Sequence, residues 1–175
     1  MALMSTPFDP LSALRVLTEE RVRFVVVGGL GARLHGSPSV TNDTDICYER
    51  SPGNLRRLAT ALRRLDARLR GVDEEVPFVP DAATLAAGDH FTFTTASGNL
   101  DCLGTPAGTG GFRRLERRAA TFEVEGMAIL VASIEDLILM KLAAGRPKDL
   151  IEVEVLRAVR DRTGEEPAGR SGDPD

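Results

Sequence analysis

Two aspartates one residue apart, Asp43 and Asp45 in Asp43-Thr44-Asp45, are the residues of this chain best suited to chemistry. On an extended segment, side chains at i and i+2 leave the same face, roughly 7 Å apart along the backbone, so both carboxylates can turn toward one cation. A third acid, Asp101, lies between Leu100 and Cys102 in an alternating run and faces away from both. If the two runs are neighbours, three carboxylates cluster, and each close pair repels by about 4 kcal/mol at about 4 Å in an intermediate dielectric. Bound cations or protonation relieve that repulsion. Such a cluster can hold one or two magnesium ions beside phosphate oxygens and leave a carboxylate to accept a proton.

Upstream, Val25-Val26-Val27 ends in Gly28-Gly29, an apolar strand running into a turn where the backbone can come close to a ligand. The remaining elements follow from caps and periodicity. Asp9-Pro10 opens a helix to about Arg21, and Leu30 to His35 forms a short one. Asp43 to Tyr48 is the second strand. Ser51-Pro52 starts a long helix expected to end near Gly71, with a leucine stripe at 55, 58, 62, 65 and 69. Thr84 to Gly88 makes a helical turn. His90 to Thr94 and Leu100 to Leu103 pair as a hairpin around Ser97-Gly98-Asn99. Another helical turn covers Phe112 to Arg118, and short strands cover Thr121 to Glu125 and Met127 to Val131. Ser133 with Asp136 reads as a capping box for a helix with an Ile134, Leu137, Ile138, Leu142 stripe, closed by Gly145-Arg146-Pro147. The last helix runs from about Lys148 to Arg160. This order predicts an α/β (α+β) protein with a small mixed sheet, flanking helices and a C-terminal helical segment.

Composition agrees with one such unit. The 175 residues, 42% hydrophobic, suffice for one core. No apolar window is long enough to span a membrane, and Met1-Ala2-Leu3-Met4 lacks the pattern of a signal peptide, so a cytoplasmic protein without a membrane partner is expected. Cys47 and Cys102 have neither the context of a disulfide nor the histidine partners of a zinc site. A net charge of -4 argues against nucleic-acid binding through bulk electrostatics, leaving local patches. The expected long helix carries one on the face opposite its leucines: Arg56, Arg57, Arg63, Arg64, Arg68 and Arg70, interrupted by Asp66. Arg113, Arg114, Arg117 and Arg118 form a second cluster. These are the residues that RNA phosphates would meet. One tyrosine and no tryptophan leave little to stack bases on. His35 reads as a surface residue and His90 as structural.

Taken in order, these pieces resemble the nucleotidyltransferases related to DNA polymerase beta: an apolar strand ending in Gly-Gly, a spacer of thirteen residues, Asp-x-Asp, and a later third acid. Ile134-Glu135-Asp136-Leu137-Ile138 and the run from Lys141 to Leu150 are similar to segments of AbiEii-type and related minimal members. The likeness spans about Arg21 to Leu156. It implies a nucleotidyltransferase domain over residues 1–163, with a helical subregion at 133–163; the polar, proline- and glycine-containing tail at 164–175 reads as disordered. By the same resemblance Asp43, Asp45 and Asp101 hold Mg2+, with Asp101 alternatively the base on the acceptor hydroxyl. Gly28, Gly29 and Thr41 approach the NTP co-substrate. Lys141, Arg146 and Lys148 meet its triphosphate, Lys141 counting as catalytic, and Asp149 orients a cation among them. Two positions depart from the common pattern: Ser39 stands where relatives often have arginine, and Glu152 where they often have a second aspartate.

The activity so implied is transfer of an NMP from an NTP to an acceptor hydroxyl. The acceptor in the AbiEii-type group is tRNA, in a toxin neutralised by an antitoxin protein. Alternatives are modification of a partner protein, modification of a small molecule such as an antibiotic, or a non-catalytic nucleotide-binding or antitoxin module.

Overall fold

The computed structural model describes residues 6–71, 78 and 80–164, and the tail expected to be disordered lies outside them apart from Gly164. Its centre is one mixed sheet of seven strands: β1 (Phe24–Val27), β2 (Asp43–Tyr48), β3 (Arg68–Leu69), β4 (His90–Thr95), β5 (Gly98–Leu103), β6 (Ala120–Val124) and β7 (Met127–Val131). Their order across the sheet is β3-β4-β5-β2-β1-β7-β6. The hairpins β4-β5 and β6-β7 are antiparallel, as is β1-β2, while β2-β5 and β1-β7 are parallel.

Among the described residues, seven helices flank the sheet: α1 (Pro10–Glu19), α2 (Gly28–Leu34), α3 (Pro52–Arg64), α4 (Ala82–Ala87), α5 (Phe112–Arg118), α6 (Ile134–Ala144) and α7 (Pro147–Thr163). Side chains alternate along each strand, so the sheet feeds two cores. Val26, Ile46, Tyr48, Phe93, Leu100 and Cys102 face Leu14 and Leu17 of α1, Leu55, Leu58 and Leu62 of α3, and Leu85 of α4. Val25, Val27 and Cys47 face Phe112 and Leu115 of α5, Ile134, Leu137 and Ile138 of α6, and Val153, Leu156 and Val159 of α7. Both cysteines are buried and free, and burial raises both thiols far above the range in which they ionise.

Three capping serines and aspartates sit where their type predicts. Asp9, Ser51 and Ser133 each accept a hydrogen bond from the backbone three residues on, satisfying an otherwise orphaned N–H. The capping box at Ser133 is only half made. Asp136 is fully buried, and instead of reaching back to the cap it lies 3.5 Å from Arg118 Nε.

The helix after Ser51 ends earlier than its leucine spacing predicts. Asp66 adopts a left-handed conformation (φ 50°), and Ala67 N–H closes on Leu62 O at 3.0 Å, so α3 stops at Arg64. Aspartate tolerates this conformation better than most residues. Arg68 and Leu69 then form β3, and Arg68 and Arg70 leave the arginine face to which they were assigned. Leu142 is likewise outside the buried stripe of α6, 44% exposed. His35 is buried rather than on the surface, its Nε2 2.8 Å from Ala132 O and its ring edge-on to Phe122. No helix among the described residues is long and apolar enough to cross a membrane.

Candidate active site

The parallel pairing of β2 and β5 places Asp45 directly opposite Asp101 and Asp43 opposite Asn99. On β4 the same sheet face carries Thr92 opposite Asp101 and Thr94 opposite Asn99. All three predicted acids therefore share one face, the one that α5, α6 and α7 cover farther along at β1. At the β4-β5 side the cover ends: Asp43, Asp45, Asn99, Asp101 and Thr92 are half-buried, and Thr94 is exposed.

Each carboxylate has a named neighbour. Asn99 Nδ2 donates to Asp43 Oδ1 at 3.1 Å. Arg70 Nη2 donates to Asp101 Oδ1 at 2.8 Å. Asp45 stands opposite Asp101 on the neighbouring strand, so the two carboxyls repel when both are charged. Burial, then the negative charges of Asp101 and Asp43, push Asp45 from its ordinary value of 3.8 to about 7, and the positive charge of Lys141 opposes that rise. The repulsion expected of three clustered acids thus surfaces as one acid that retains its proton near neutrality.

Gly28 leaves no room for a side chain. It has φ +63°, and a Cβ there would run into the carboxylate of Asp45. A Cβ on Gly29 would stand 2.8 Å from Thr41 Oγ1. The pair begins α2 without any intervening loop, so its backbone packs directly against Asp45 and Thr41.

The predicted cations divide. Lys141, on α6, is close enough to oppose the charge at Asp45 and sits 3.5 Å from Asp149 Oδ1. Arg146 grips the same aspartate twice, through Nε to Oδ2 at 2.6 Å and Nη2 to Oδ1 at 3.2 Å. Asp149, 1% exposed, thereby orients both, and the Arg146 hydrogen bonds hold its carboxyl below the usual carboxylate range. Lys148 is exposed at the start of α7.

The arginines of α3 belong to the opposite layer. Their helix packs through Leu55, Leu58 and Leu62 on the sheet face that carries Ile46 and Leu100, not the acids. Arg64 pairs with Glu19 and Glu20 at 2.7 and 2.9 Å, and Arg63 donates to Pro80 O. Arg57 donates to Asn54 Oδ1 at 3.4 Å, and Arg68 lies 3.8 Å from Asp66. Two residues missed in the sequence touch the acids instead, Asn99 and Arg70. Alternation through Asn99-Leu100-Asp101 was the signal for the first, and Arg68-Leu69-Arg70 after Asp66 the signal for the second.

The donor set suits a hard divalent cation: carboxylate oxygens on adjoining strands, with Gly28 leaving their approach open. Among the described residues, no group of three or more His, Cys, Asp or Glu side chains is arranged to hold a metal ion. Asp43 and Asp101 instead accept from Asn99 and Arg70.

No family model and no curated protein matches this chain. Solved structures do match it. Lincosamide antibiotic adenylyltransferase LnuA, with lincomycin bound, aligns at TM-score 0.58 and 13% identity, over 86% of this chain and 95% of that one. Antibiotic-resistance factor ANT(2'')-Ia aligns at 0.52 and 16%, over 89% and 82% of the two chains. An antigenic nucleotidyltransferase-like protein from Paracoccidioides brasiliensis aligns at 0.54 and 14%, over 87% and 75%. The mixed sheet with its flanking helices is therefore the fold of nucleotidyltransferases.

Proposed function

We propose that the protein is a magnesium-dependent nucleotidyltransferase that moves an NMP from an NTP to an acceptor hydroxyl and releases pyrophosphate. The observation that carries this reading is the facing of Asp45 and Asp101, with Asp43 beside them and Gly28 packed against Asp45. Asp43 and Asp45 would hold Mg2+, with Asp101 completing the set or taking the proton of the attacking hydroxyl. When bound, the ion supplies positive charge at the phosphate oxygens. Gly28, Gly29 and Thr41 bring backbone and hydroxyl close to the triphosphate, and Lys141 and Arg146, aimed by Asp149, meet its oxygens. Lys148, exposed at the start of α7, would be a third cation for the triphosphate. As the acceptor oxygen bonds to the α-phosphorus, the bond to pyrophosphate breaks and the hydroxyl proton passes to Asp101. Catalysis on this arrangement is positioning and charge neutralisation.

The acceptor implied by the AbiEii-type resemblance is a tRNA end, with an antitoxin protein as partner. A second reading, a small hydroxylated acceptor, is favoured by a specific observation. The α3 arginines lie in the layer away from the acids, whereas a cleft of about 540 Å3 lined by Asn42, Arg70, Thr94 and Asn99 adjoins them. Structures similar in fold include LnuA bound to lincomycin and ANT(2'')-Ia in complex with adenylyl-2''-tobramycin, the latter at TM-score 0.50 and 16% identity.

Purified protein incubated with each α-labelled NTP, Mg2+ and either total tRNA or a panel of hydroxylated small molecules tests both. Label should reach an acceptor with the parent chain and not with Asp43→Ala/Asp45→Ala. Label on tRNA supports the first acceptor and label on a small molecule the second. Absence of any magnesium-dependent NTP binding by calorimetry sinks the transferase reading.

A further inference from the structure

Arg70 lies at the edge of the sheet, on the face that carries the acids. Arg68 stands opposite Thr94 and Leu69 opposite Phe93, and the Arg70 N–H donates to Thr92 O at 2.9 Å, continuing the β3-β4 pairing by one residue. Alternation then puts Arg70 on the side of Thr92, which is the side of Asp101. One nitrogen makes both of its side-chain contacts: Nη2 donates to Phe93 O at 2.9 Å and to Asp101 Oδ1 at 2.8 Å. Nε is buried without an acceptor, whereas Nη1 is accessible and has no acceptor among the described residues. The strand carbonyl fixes the guanidinium, and its free donors are left to the cleft of about 540 Å3 that Arg70 lines.

The lining of that cleft is of two kinds. Arg70, Asn42, Thr94 and Asn99 are polar, and Pro7 and Phe8 are apolar. The apolar part is held in place: Asp9 N–H donates to Ser97 O at 3.0 Å, and a Cβ on Gly98 would stand 3.0 Å from Phe8 Cα, so the chain before α1 lies directly on the β4-β5 turn. Among the described residues no carboxylate lines the cleft, and Asp43 and Asp101 adjoin it through the donors that hold them, Asn99 and Arg70. A polycation in this cleft would meet a fixed positive charge and no acid to pair with, whereas an anion gains a charge-assisted hydrogen bond. We infer that the acceptor is a small hydroxylated molecule bearing an anionic group, a phosphate or a carboxylate, which Arg70 Nη1 holds while the hydroxyl lies toward Asp101. This rests on the transferase reading and names its substrate class. Nη1 and Nη2 leave the same carbon and Nη2 is bonded to Asp101, so the anionic group and the reacting hydroxyl are close neighbours on the acceptor. Arg70 is thus a specificity-determining residue, and guanidinium suits the task because its planar donors match the oxygens of phosphate and carboxylate.

Full-length protein is first saturated with Mg2+ and a non-hydrolysable α,β-methylene NTP analogue, which fills the triphosphate site, and is then titrated with glycerol 3-phosphate, glycerate, glycerol and the polycationic amino sugar tobramycin. Binding is followed by nuclear magnetic resonance through the side-chain amides of Asn42 and Asn99. At least one of the two anions should bind about tenfold tighter than glycerol, the effect of one charge-assisted hydrogen bond, and the tighter of the two shows whether phosphate or carboxylate is preferred. Arg70→Gln, which can still donate to Phe93 O, should abolish the preference, and Arg70→Lys should retain it in part. No preference for either anion in the parent, a preference that survives in folded Arg70→Gln, or tighter binding of tobramycin than of both anions overturns the inference and leaves the transferase reading intact. Failure of the NTP analogue to bind overturns both. If Arg70→Gln does not fold, the parent still decides, since an anion preference that moves neither amide places the anion outside this cleft and overturns the inference.

Discussion

Ser39 Oγ donates a 3.0 Å hydrogen bond to Glu152 Oε1, joining the loop before β2 to α7 across 113 residues. These are the two positions at which the resemblance drawn from the motifs implies a different residue. Where an arginine would carry a charge into this loop, a short hydroxyl reaches a carboxylate one methylene longer than aspartate. Arg33, at the end of α2, donates to Ser39 O at 3.1 Å and braces the same loop. The contact ties the loop carrying Thr41 to the helix that begins beside Arg146.

Ser39→Ala should therefore loosen the loop rather than unfold the protein. A hydrogen bond to a carboxylate in a half-buried place is worth about 1 kcal/mol, which lowers Tm by roughly 2–4 °C. In the transfer reaction the KM for NTP should rise severalfold with kcat nearly unchanged. Glu152→Gln retains an acceptor oxygen and should behave like the parent. Equal damage from both variants would show that charge at Glu152, not the hydrogen bond, is what matters.

Gly28→Ala asks for two things the fold does not allow: a side chain at φ +63° and a methyl group in the space of the Asp45 carboxylate. The first costs roughly 1–2 kcal/mol. The second displaces a group on which the proposed metal site depends. Transfer activity should fall at least about 100-fold, the effect of misplacing a reacting group by about 1 Å. Thermal denaturation should show a drop of only several degrees. Activity within a few-fold of the parent would remove Gly28 from the site.

These sites were unequally legible in the sequence. Period-two alternation was enough to put Asp43 and Asp45 on one face of their strand and Asp101 opposite Leu100 and Cys102 on its own, because strand geometry is local. That β5 lies parallel to β2 is a matter of topology, and no local signal specifies it. Arg70 was hidden by a pattern that happened to continue. Leu69 falls on the leucine spacing of α3, but the helix stops at Arg64, ahead of a left-handed Asp66, and Arg70 turns to the sheet instead. The tie between Asp149 and both Lys141 and Arg146 was partly visible, since Arg146 and Asp149 are three residues apart across a helix start. His35 went unrecognised as a core residue because its partner Ala132 is 97 residues away.

Asp149→Asn separates aiming from charge. The buried carboxylate faces two cations, one 26% and the other 60% exposed at the side chain, so its loss costs less than a fully buried pair would. A destabilisation of about 2 kcal/mol is expected after allowing for solvent at Arg146. Because its folded-state pKa is depressed, the Asp149 contribution is present above the unfolded value and disappears as pH falls through the folded one. Stability of parent and variant should converge in acid. NTP affinity should drop about tenfold at pH 7.5 by calorimetry, as Lys141 and Arg146 lose their common anchor.

Asp45 makes the opposite prediction. Its carboxyl is raised from 3.8 to about 7, so the folded protein binds that proton more tightly than the unfolded chain does. No penalty exists below the unfolded value. As pH climbs from about 4 to 7, the unfolded chain gives up its proton first, and the metal-free protein loses stability by up to about 4 kcal/mol. Above the folded value the full penalty remains. Urea denaturation of metal-free protein should therefore show stability rising as pH is lowered from 8 to 5, apart from the contributions of other groups. Asp45→Asn cannot ionise and should flatten that part of the profile, gaining about 1–3 kcal/mol at pH 8 relative to the parent while transfer activity disappears. A bound divalent cation competes with the Asp45 proton, so Mg2+ affinity measured with an NTP analogue should weaken as pH falls below about 7, with proton release on binding. If Asp45→Asn destabilises the metal-free protein at pH 8, the clustered acids are not under the electrostatic strain that their geometry implies.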